Sequence, residues 1–132
     1  MNRKRNRRAG VIRYGPVIVW ACLILAISSI PDLSAPRAGF KLTDKLAHFI
    51  EFGIFGYLLS SALAPSGLSL TRRRVIAVLA VGVLLGIVDE THQGFIPGRD
   101  MDFFDVVADG LGVGAAVVLW HVLRRRRFSP TA

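Results

Sequence analysis

Polar side chains in three parts of the sequence recur at spacings of three and four residues. The sets are Asp44, His48 and Glu51, then Glu90 and Gln93, then Asp102, Asp105 and Asp109. Because residues three or four apart lie on one face of a helix, each set predicts a polar stripe along a helix. Lys45 and Arg99 lie beside these stripes and add positive charge. We expect these ten residues to line one shared polar site.

Within this expected site, His48 and Glu51 have three chemical interpretations. The pair is suited to relaying protons, to forming a structural ion pair, or to binding a metal ion. A divalent cation is a candidate cofactor, because the site has more acidic than basic residues. The sequence has no HExxH zinc motif, nucleophile elbow, phosphate-binding loop or dinucleotide fingerprint. It therefore assigns neither a particular metal nor a catalytic residue.

Several of the charged residues also have structural interpretations. Asp44, Asp100 and Asp102 fall at or beside expected helix N-termini. A carboxylate there caps backbone amides and complements the helix dipole. Lys45 and Arg99 are suited either to anchoring at a membrane interface or to neutralising nearby acids. For these five residues the structural interpretation stands beside the functional one.

Acidic residues within apolar stretches carry a stronger functional signal. Counting ~1.5 Å per residue from the expected inner helix ends puts Glu51, Glu90 and Asp109 ~18 to 23 Å above the inner membrane boundary. That depth lies inside a hydrocarbon layer ~30 Å thick. An ionisable side chain facing lipid costs at least ~2.5 to 3.5 kcal/mol, so these groups should face the bundle interior. Capping does not explain Asp89 or Glu90, since the dipole disfavours negative charge toward a helix C-terminus.

Four apolar stretches must position these stripes, and each is long enough to span a bilayer. We expect spans at about 11–30, 45–63, 75–95 and 103–123, flanked by basic tails at 1–10 and 124–132. Thr43 is the expected N-cap of the second span. Two glycine pairs, Gly82 with Gly86 and Gly110 with Gly114, have the spacing that lets helices approach closely in lipid. The sequence therefore predicts an all-α membrane protein, a bundle of four transmembrane helices whose third and fourth spans pack at these glycines.

Charge is segregated along the chain, which has a formal net charge of +8. All nine acidic residues lie within 32–51 and 89–109, whereas most of the seventeen Lys and Arg lie elsewhere. Short loops rich in Lys and Arg stay in the cytoplasm, so we expect both termini to be cytoplasmic and the acidic site to face outward. The basic residues flank apolar stretches and have no interleaved aromatic residues. We therefore expect membrane insertion and no nucleic-acid binding.

The first apolar stretch has an alternative interpretation. A basic N-terminus followed by an apolar segment is also typical of a secretory signal peptide. The stretch continues past the length of a typical signal segment, and an even number of spans keeps all basic groups on one side. We therefore expect an uncleaved first span. Cys22, in this stretch, has no disulfide partner within the chain.

Three blocks of the sequence resemble the VanZ-like membrane proteins. They are residues 44–49 (DKLAHF) with Phe52, residues 90–99 (ETHQGFIPGR), and Asp102, Asp105, Asp109 and Gly112. The blocks follow the order of the family, and the resemblance covers residues 28–114. The family usually has Asn at the position of Asp109, a difference that changes the charge of the site. The resemblance implies a small four-span protein, and the namesake of the family is associated with resistance to the glycopeptide antibiotic teicoplanin.

Three functions remain open from the sequence. The first is a non-enzymatic protein of the cell membrane that binds or positions an envelope molecule, such as a lipid-linked precursor or a glycopeptide. The second is a membrane-embedded hydrolase or transferase, with Glu90 or His48 as general base and Arg99 stabilising an anionic group. The third is an assembly partner whose polar stripes only specify helix packing. We favour the first, because no Ser or Cys is expected among the site residues.

Overall fold

Helices make up most of the structure. The computed structural model describes residues 2–31, 41–64 and 69–127. In these ranges the chain forms four helices and no strand: α1 (Asn2–Ser28), α2 (Lys41–Leu63), α3 (Arg72–Gln93) and α4 (Phe103–Arg127). The predicted all-α fold is therefore confirmed.

Three helices begin earlier than expected, and α4 ends at Arg127 in place of 123, so it includes the first four residues of the expected basic tail. α1 begins at Asn2, so the basic segment expected as a tail continues the first helix. α2 begins at Lys41, which puts Thr43 inside its first turn, and the prediction that Thr43 is the N-cap is wrong. α3 begins at Arg72, after an N-cap at Thr71. Lys and Arg are good helix formers, so helices extend through basic residues that flank the apolar segments.

Three helices are long and apolar enough to cross a membrane. They are Leu42–Leu63, Arg72–Gln93 and Phe103–Arg124, each of 22 residues. At ~1.5 Å per residue each is ~33 Å long, which matches a hydrocarbon layer of ~30 Å. The apolar part of α1, Ile12–Ser28, is shorter. Large side chains such as Leu84 and Leu111 point outward and are 61% and 62% exposed, as expected for a surface that contacts lipid.

The most extensive helix contact joins α2 and α4. It depends on Gly112, where an added Cβ would overlap the carbonyl oxygen of Phe49 and come within 3.0 Å of the amide nitrogen of Gly53. One turn further along α2, a Cβ on Gly56 would lie 3.0 Å from the Cα of Val113. Only glycine lets the two backbones approach this closely. The glycine spacing considered in the sequence did not predict this contact.

α3 packs against α4 through one of the two predicted glycine pairs. A Cβ on Gly82 would lie 2.6 Å from a methyl carbon of Val113, and a Cβ on Gly86 would lie 2.6 Å from Oδ2 of Asp109. The prediction for this pair is confirmed. It is wrong for Gly114, because an added Cβ there meets no atom within 4 Å. Gly110 makes only ordinary contact with α3, so the close approach comes from glycines on α3.

The interior of the bundle has an apolar part and a polar part. Phe52, Val78, Val113 and Trp120 are almost completely buried and form the apolar core. Apart from Ser60 near the end of α2, the buried polar residues gather at one end of the bundle, where α2 and α4 begin and α3 ends. We call this the polar end. α1 packs against α2 and α3, and the indole N–H of Trp20 donates to the carbonyl oxygen of Glu51 at 2.9 Å.

Candidate functional site

His48 connects three helices at the polar end. Its side chain is on α2 and is buried. Nδ1 lies 3.0 Å from Oδ1 of Asp109 on α4, and Nε2 lies 3.7 Å from Oε1 of Glu90 on α3. A carboxylate accepts a hydrogen bond, so Asp109 holds the proton on Nδ1 and leaves Nε2 directed toward Glu90. The structure thus brings these three predicted site residues together.

The position of Asp109 depends on a glycine of the neighbouring helix. Oδ2 of Asp109 occupies the space that a side chain at Gly86 would fill. Asp109 is completely buried, and Oδ1 is directed at His48. The glycine therefore shapes the site as well as the helix contact, a role that glycine spacing alone does not indicate.

Glu90 is held by the start of α4. Its Oε2 accepts a hydrogen bond from the backbone N–H of Asp102 at 2.8 Å. Asp102 precedes the first residue of α4, and its Oδ1 accepts from the N–H of Phe104 at 2.8 Å. This is the geometry of an N-cap, which confirms the capping interpretation of Asp102. Asp102 therefore both caps α4 and positions the side chain of Glu90.

Lys45 neutralises two aspartates of α4. Its Nζ lies 2.6 Å from Oδ2 of Asp102 and 2.9 Å from Oδ1 of Asp105. The Asp105 side chain is only 4% exposed, so its charge has little contact with solvent. Of the two interpretations considered for Lys45, the contacts are those of a counter-ion.

A second set of hydrogen bonds extends from the site toward α1. Nε2 of Gln93 donates to Oδ2 of Asp89 at 2.8 Å, and Oε1 of Gln93 accepts from Nη1 of Arg99 at 2.8 Å. Arg99 also donates to the carbonyl oxygens of Ile27 and Ile30 at the end of α1, at 3.4 and 3.3 Å. The guanidinium therefore joins the α3–α4 loop to α1, while Gln93 relays the contact to Asp89.

Asp89 is a site residue that the sequence interpretation left out. It is 1% exposed and lies next to Glu90 on α3. Its four-residue spacing from Gln93 is the signal that could have placed it on the same stripe.

Two of the predicted site residues have fewer contacts than the others. Asp44 and Glu51 are half-buried, and neither side chain forms a hydrogen bond within the described ranges, although the charge of Glu51 interacts with those of His48 and Asp89.

Three buried carboxylate oxygens of the site have no hydrogen-bond partner among the described residues. They are Oδ1 of Asp89, Oε1 of Glu90 and Oδ2 of Asp109. An unpaired buried carboxylate oxygen is costly, and native structures contain few such groups. Besides His48, the described positively charged groups at the polar end, Lys45 and Arg99, are directed to other partners. Among the described residues, the interior of the site therefore has more carboxylate oxygens than groups that pair with them.

Two overlapping groups of residues have the geometry of metal ligands. One consists of Asp44, His48 and Asp105, and the other of His48, Asp89 and Glu90. In each group one ligand atom per residue lies within 4.8 Å of the others. Only the second group is buried throughout.

An apolar groove of about 580 Å³ lies on the outer surface between α2 and α4. Its lining includes Phe49 and Gly53 of α2 and Gly112 and Leu119 of α4. Phe49 follows His48 in sequence, and Gly112 lies about one turn from Asp109. The groove therefore begins close to the polar site and continues along the apolar surface.

Comparisons with known proteins give two matches to this sequence. The sequence model described as VanZ/LLP1 matches residues 9–124. The uncharacterized protein C11E3.10 of Schizosaccharomyces pombe is 33% identical over 95 residues, which cover 70% of this chain. The matched segment spans only 56% of that yeast protein. No solved structure matches the chain. The match includes most of α1 and α4, all of α2 and α3 and every residue of the polar site, and the chain therefore belongs to the VanZ/LLP1 family.

Proposed function

We propose that α1 is a fourth span, that both termini are cytoplasmic, and that the polar end faces outward. The apolar part of α1 is close to the minimum for a span, and its basic first half would extend into the cytoplasmic interface. The basic residues 72–74 and 124–127 lie at the opposite end of the bundle from the acidic cluster. This arrangement satisfies the preference of Lys and Arg for the cytoplasmic side.

We propose that the polar end binds the headgroup of a cell-envelope molecule. The observation that carries this proposal is the set of three buried carboxylate oxygens without hydrogen-bond partners in the described ranges. Ionisable residues inside a membrane bundle are expensive and typically mark ligand or ion sites. A ligand group that donates hydrogen bonds or carries positive charge would compensate these oxygens.

The class of ligand that fits best is a lipid or a lipid-linked precursor. Its headgroup would occupy the polar end, and its chain would lie in the apolar groove between α2 and α4. Similarity to a yeast protein favours a membrane lipid over a molecule confined to bacterial cell walls. A glycopeptide such as teicoplanin, the antibiotic associated with the namesake of the family, is the second ligand to test.

Binding can be measured with the purified protein in detergent. The probes are phosphatidylethanolamine, phosphatidylglycerol, a polyprenyl phosphate and teicoplanin, each titrated while thermal unfolding is followed. We expect one lipid class to stabilise the wild type saturably, because a ligand that binds only the folded state raises its stability. Glu90→Gln should weaken this binding at least about tenfold. Asp100→Asn, at an exposed acidic residue, is the matched control. Equal binding by all three proteins, or none by any, would reject the site.

A hydrolase or transferase is the second candidate function. The observation in its favour is the position of His48 between Asp109 and Glu90, which orients Nε2 toward the interior of the site. A histidine oriented by a carboxylate is suited to general-base catalysis. Headgroup release from the same lipids, lost in His48→Gln and retained in Asp100→Asn, would support this function. Absence of release across the panel would count against it.

A further inference from the structure

One part of the polar end combines a histidine with two carboxylates, and their side-chain atoms are close enough to bind one metal ion. His48, Asp89 and Glu90 are 5%, 1% and 1% exposed, and they come from two different helices. One ligand atom from each lies within 4.8 Å of the other two. Imidazole and carboxylate groups are the common ligands of divalent transition metals.

The second observation is how the atoms of these three side chains are used. Oδ2 of Asp89 accepts from Gln93, and Oε2 of Glu90 accepts from the backbone of Asp102. The other oxygen of each carboxylate is buried and has no hydrogen-bond partner in the described ranges. Each acid is thus fixed through one oxygen, while the other is left for a ligand.

The imidazole of His48 likewise has one nitrogen held by a neighbour and the other available to a ligand. Nδ1 is paired with Asp109, which leaves Nε2 3.7 Å from Oε1 of Glu90. Two ligand atoms at ~2.1 Å from one ion can be at most ~4.2 Å apart, so this separation fits a shared ion. A metal-binding histidine usually donates its other N–H to a carboxylate, as His48 does to Asp109.

We propose that His48, Asp89 and Glu90 bind one divalent transition-metal ion through Nε2, Oδ1 and Oε1, and that Asp109 orients the histidine. The positive charge of the ion would stabilise Oδ1 of Asp89 and Oε1 of Glu90, which have no hydrogen-bond partner among the described residues. Three protein ligands leave coordination positions open for water or for an anionic headgroup oxygen. Contact with a headgroup rests on the proposed function, whereas metal binding does not.

The donor set decides between classes of metal. Mg²⁺ and Ca²⁺ prefer oxygen ligands alone, whereas a nitrogen ligand favours ions such as Zn²⁺ or Co²⁺, and Mn²⁺ accepts a mainly carboxylate site. The overlapping group of Asp44, His48 and Asp105 is less suitable, because Oδ1 of Asp105 already accepts from the Lys45 ammonium at 2.9 Å. Asp44 therefore provides a matched control within the same cluster.

The first test is metal binding by the full chain in detergent after treatment with EDTA. Co²⁺ and Mn²⁺ are titrated separately, and bound metal is measured by visible absorption, electron paramagnetic resonance and elemental analysis. We expect one ion per chain in the wild type, Asp44→Asn and Asp100→Asn proteins. Asp89→Asn and His48→Gln should bind at least about tenfold more weakly. No stoichiometric ion in the wild type, unchanged binding by Asp89→Asn, or loss only in Asp44→Asn would overturn the proposal.

A second test uses a variant that should gain a spectroscopic signal, because a misfolded variant would lose metal binding but would not gain a new band. In His48→Cys, a thiolate on the ion should add a near-ultraviolet charge-transfer band to the Co²⁺ spectrum. The wild type should lack this band, because its one cysteine, Cys22, is exposed on α1 and His48, Asp89 and Glu90 are buried. A Co²⁺-loaded His48→Cys protein without the band would overturn the assignment of Nε2 as a ligand. Lipid titrations with and without EDTA then separate the two proposals, since a chain that binds metal but no lipid refutes only the proposed function.

Discussion

At the scale of single residues, the site contains four buried acids, Asp89, Glu90, Asp105 and Asp109, each held by a specific neighbour. Asp102 caps α4, positions Glu90 through its N–H and pairs with Lys45. Asp109 fixes His48. In Asp89, Glu90 and Asp109 one carboxylate oxygen is held by such a contact, and the other is buried with no hydrogen-bond partner in the described ranges. Such order without full pairing is typical of ligand sites, since packing alone would favour complete pairing or apolar residues.

Replacing Lys45 should reveal the energetic role of its two ion pairs. In Lys45→Met, Asp105 keeps a buried charge without its counter-ion. We expect the free energy of unfolding to fall by about 2 kcal/mol, because a buried charged group loses its partner. Denaturant-induced unfolding in detergent measures the change.

The double variant Lys45→Met with Asp105→Asn is the control for this prediction. Removing both charges leaves no uncompensated aspartate at position 105, so part of the lost stability should return. If the double variant is less stable than the single one by the full effect of Asp105→Asn, the two residues do not interact energetically.

At the scale of helices, glycines determine how closely the polar stripes approach one another. Gly86 gives Asp109 its space, and Gly112 lets α4 meet α2 near Phe49. The polar stripes themselves could be predicted, because helical periodicity is a local property. The α2–α4 contact could not, since a glycine at 112 shows its importance only when Gly53 is known to face it. The contact of Arg99 with α1 is likewise a tertiary property, which the spacing of residues does not encode.

Gly86→Ala tests this role of glycine. The added methyl group would lie 2.6 Å from Oδ2 of Asp109, so Asp109 or the helix must shift. We expect a loss of about 1 to 3 kcal/mol in unfolding free energy, as for other overpacked interiors. Unfolding monitored by circular dichroism in detergent provides the measurement.

Gly114→Ala is the matched control, because its added methyl group meets no atom within 4 Å. Alanine has the higher helix propensity, so this variant should be neutral or slightly more stable. A larger loss in Gly114→Ala than in Gly86→Ala would contradict the helix contact described here.

At the scale of the whole molecule, the acidic cluster and the basic residues 72–74 and 124–127 lie at opposite ends of one bundle. The segregation of charge in the sequence predicted these opposite ends, because acidic and basic groups alternate between successive ends of the apolar stretches. Which end faces the cytoplasm stays a prediction. Three spans follow from length and composition. The first helix was harder to assign, since its basic residues continue the helix instead of preceding it.

Sidedness can be tested with single cysteines in a Cys22→Ser background. Asp100→Cys lies in the exposed α3–α4 loop at the polar end, and Ser69→Cys lies in the exposed segment before α3. A membrane-impermeant maleimide should label the first in intact cells and the second only after permeabilisation. The opposite pattern would invert the proposed topology.

The ion pairs between α2 and α4 join residues that the ribosome synthesises at different times. Lys45 and His48 lie in α2, and their partners on α4 are 57, 60 and 61 residues further along the chain. A ribosome that adds ~5 to 20 residues per second needs ~3 to 12 s to synthesise about sixty residues. During those seconds α2 has been synthesised and α4, which with its N-cap provides Asp102, Asp105 and Asp109, has not. During that interval Lys45 and His48 have none of the α4 partners that neutralise them in the finished bundle.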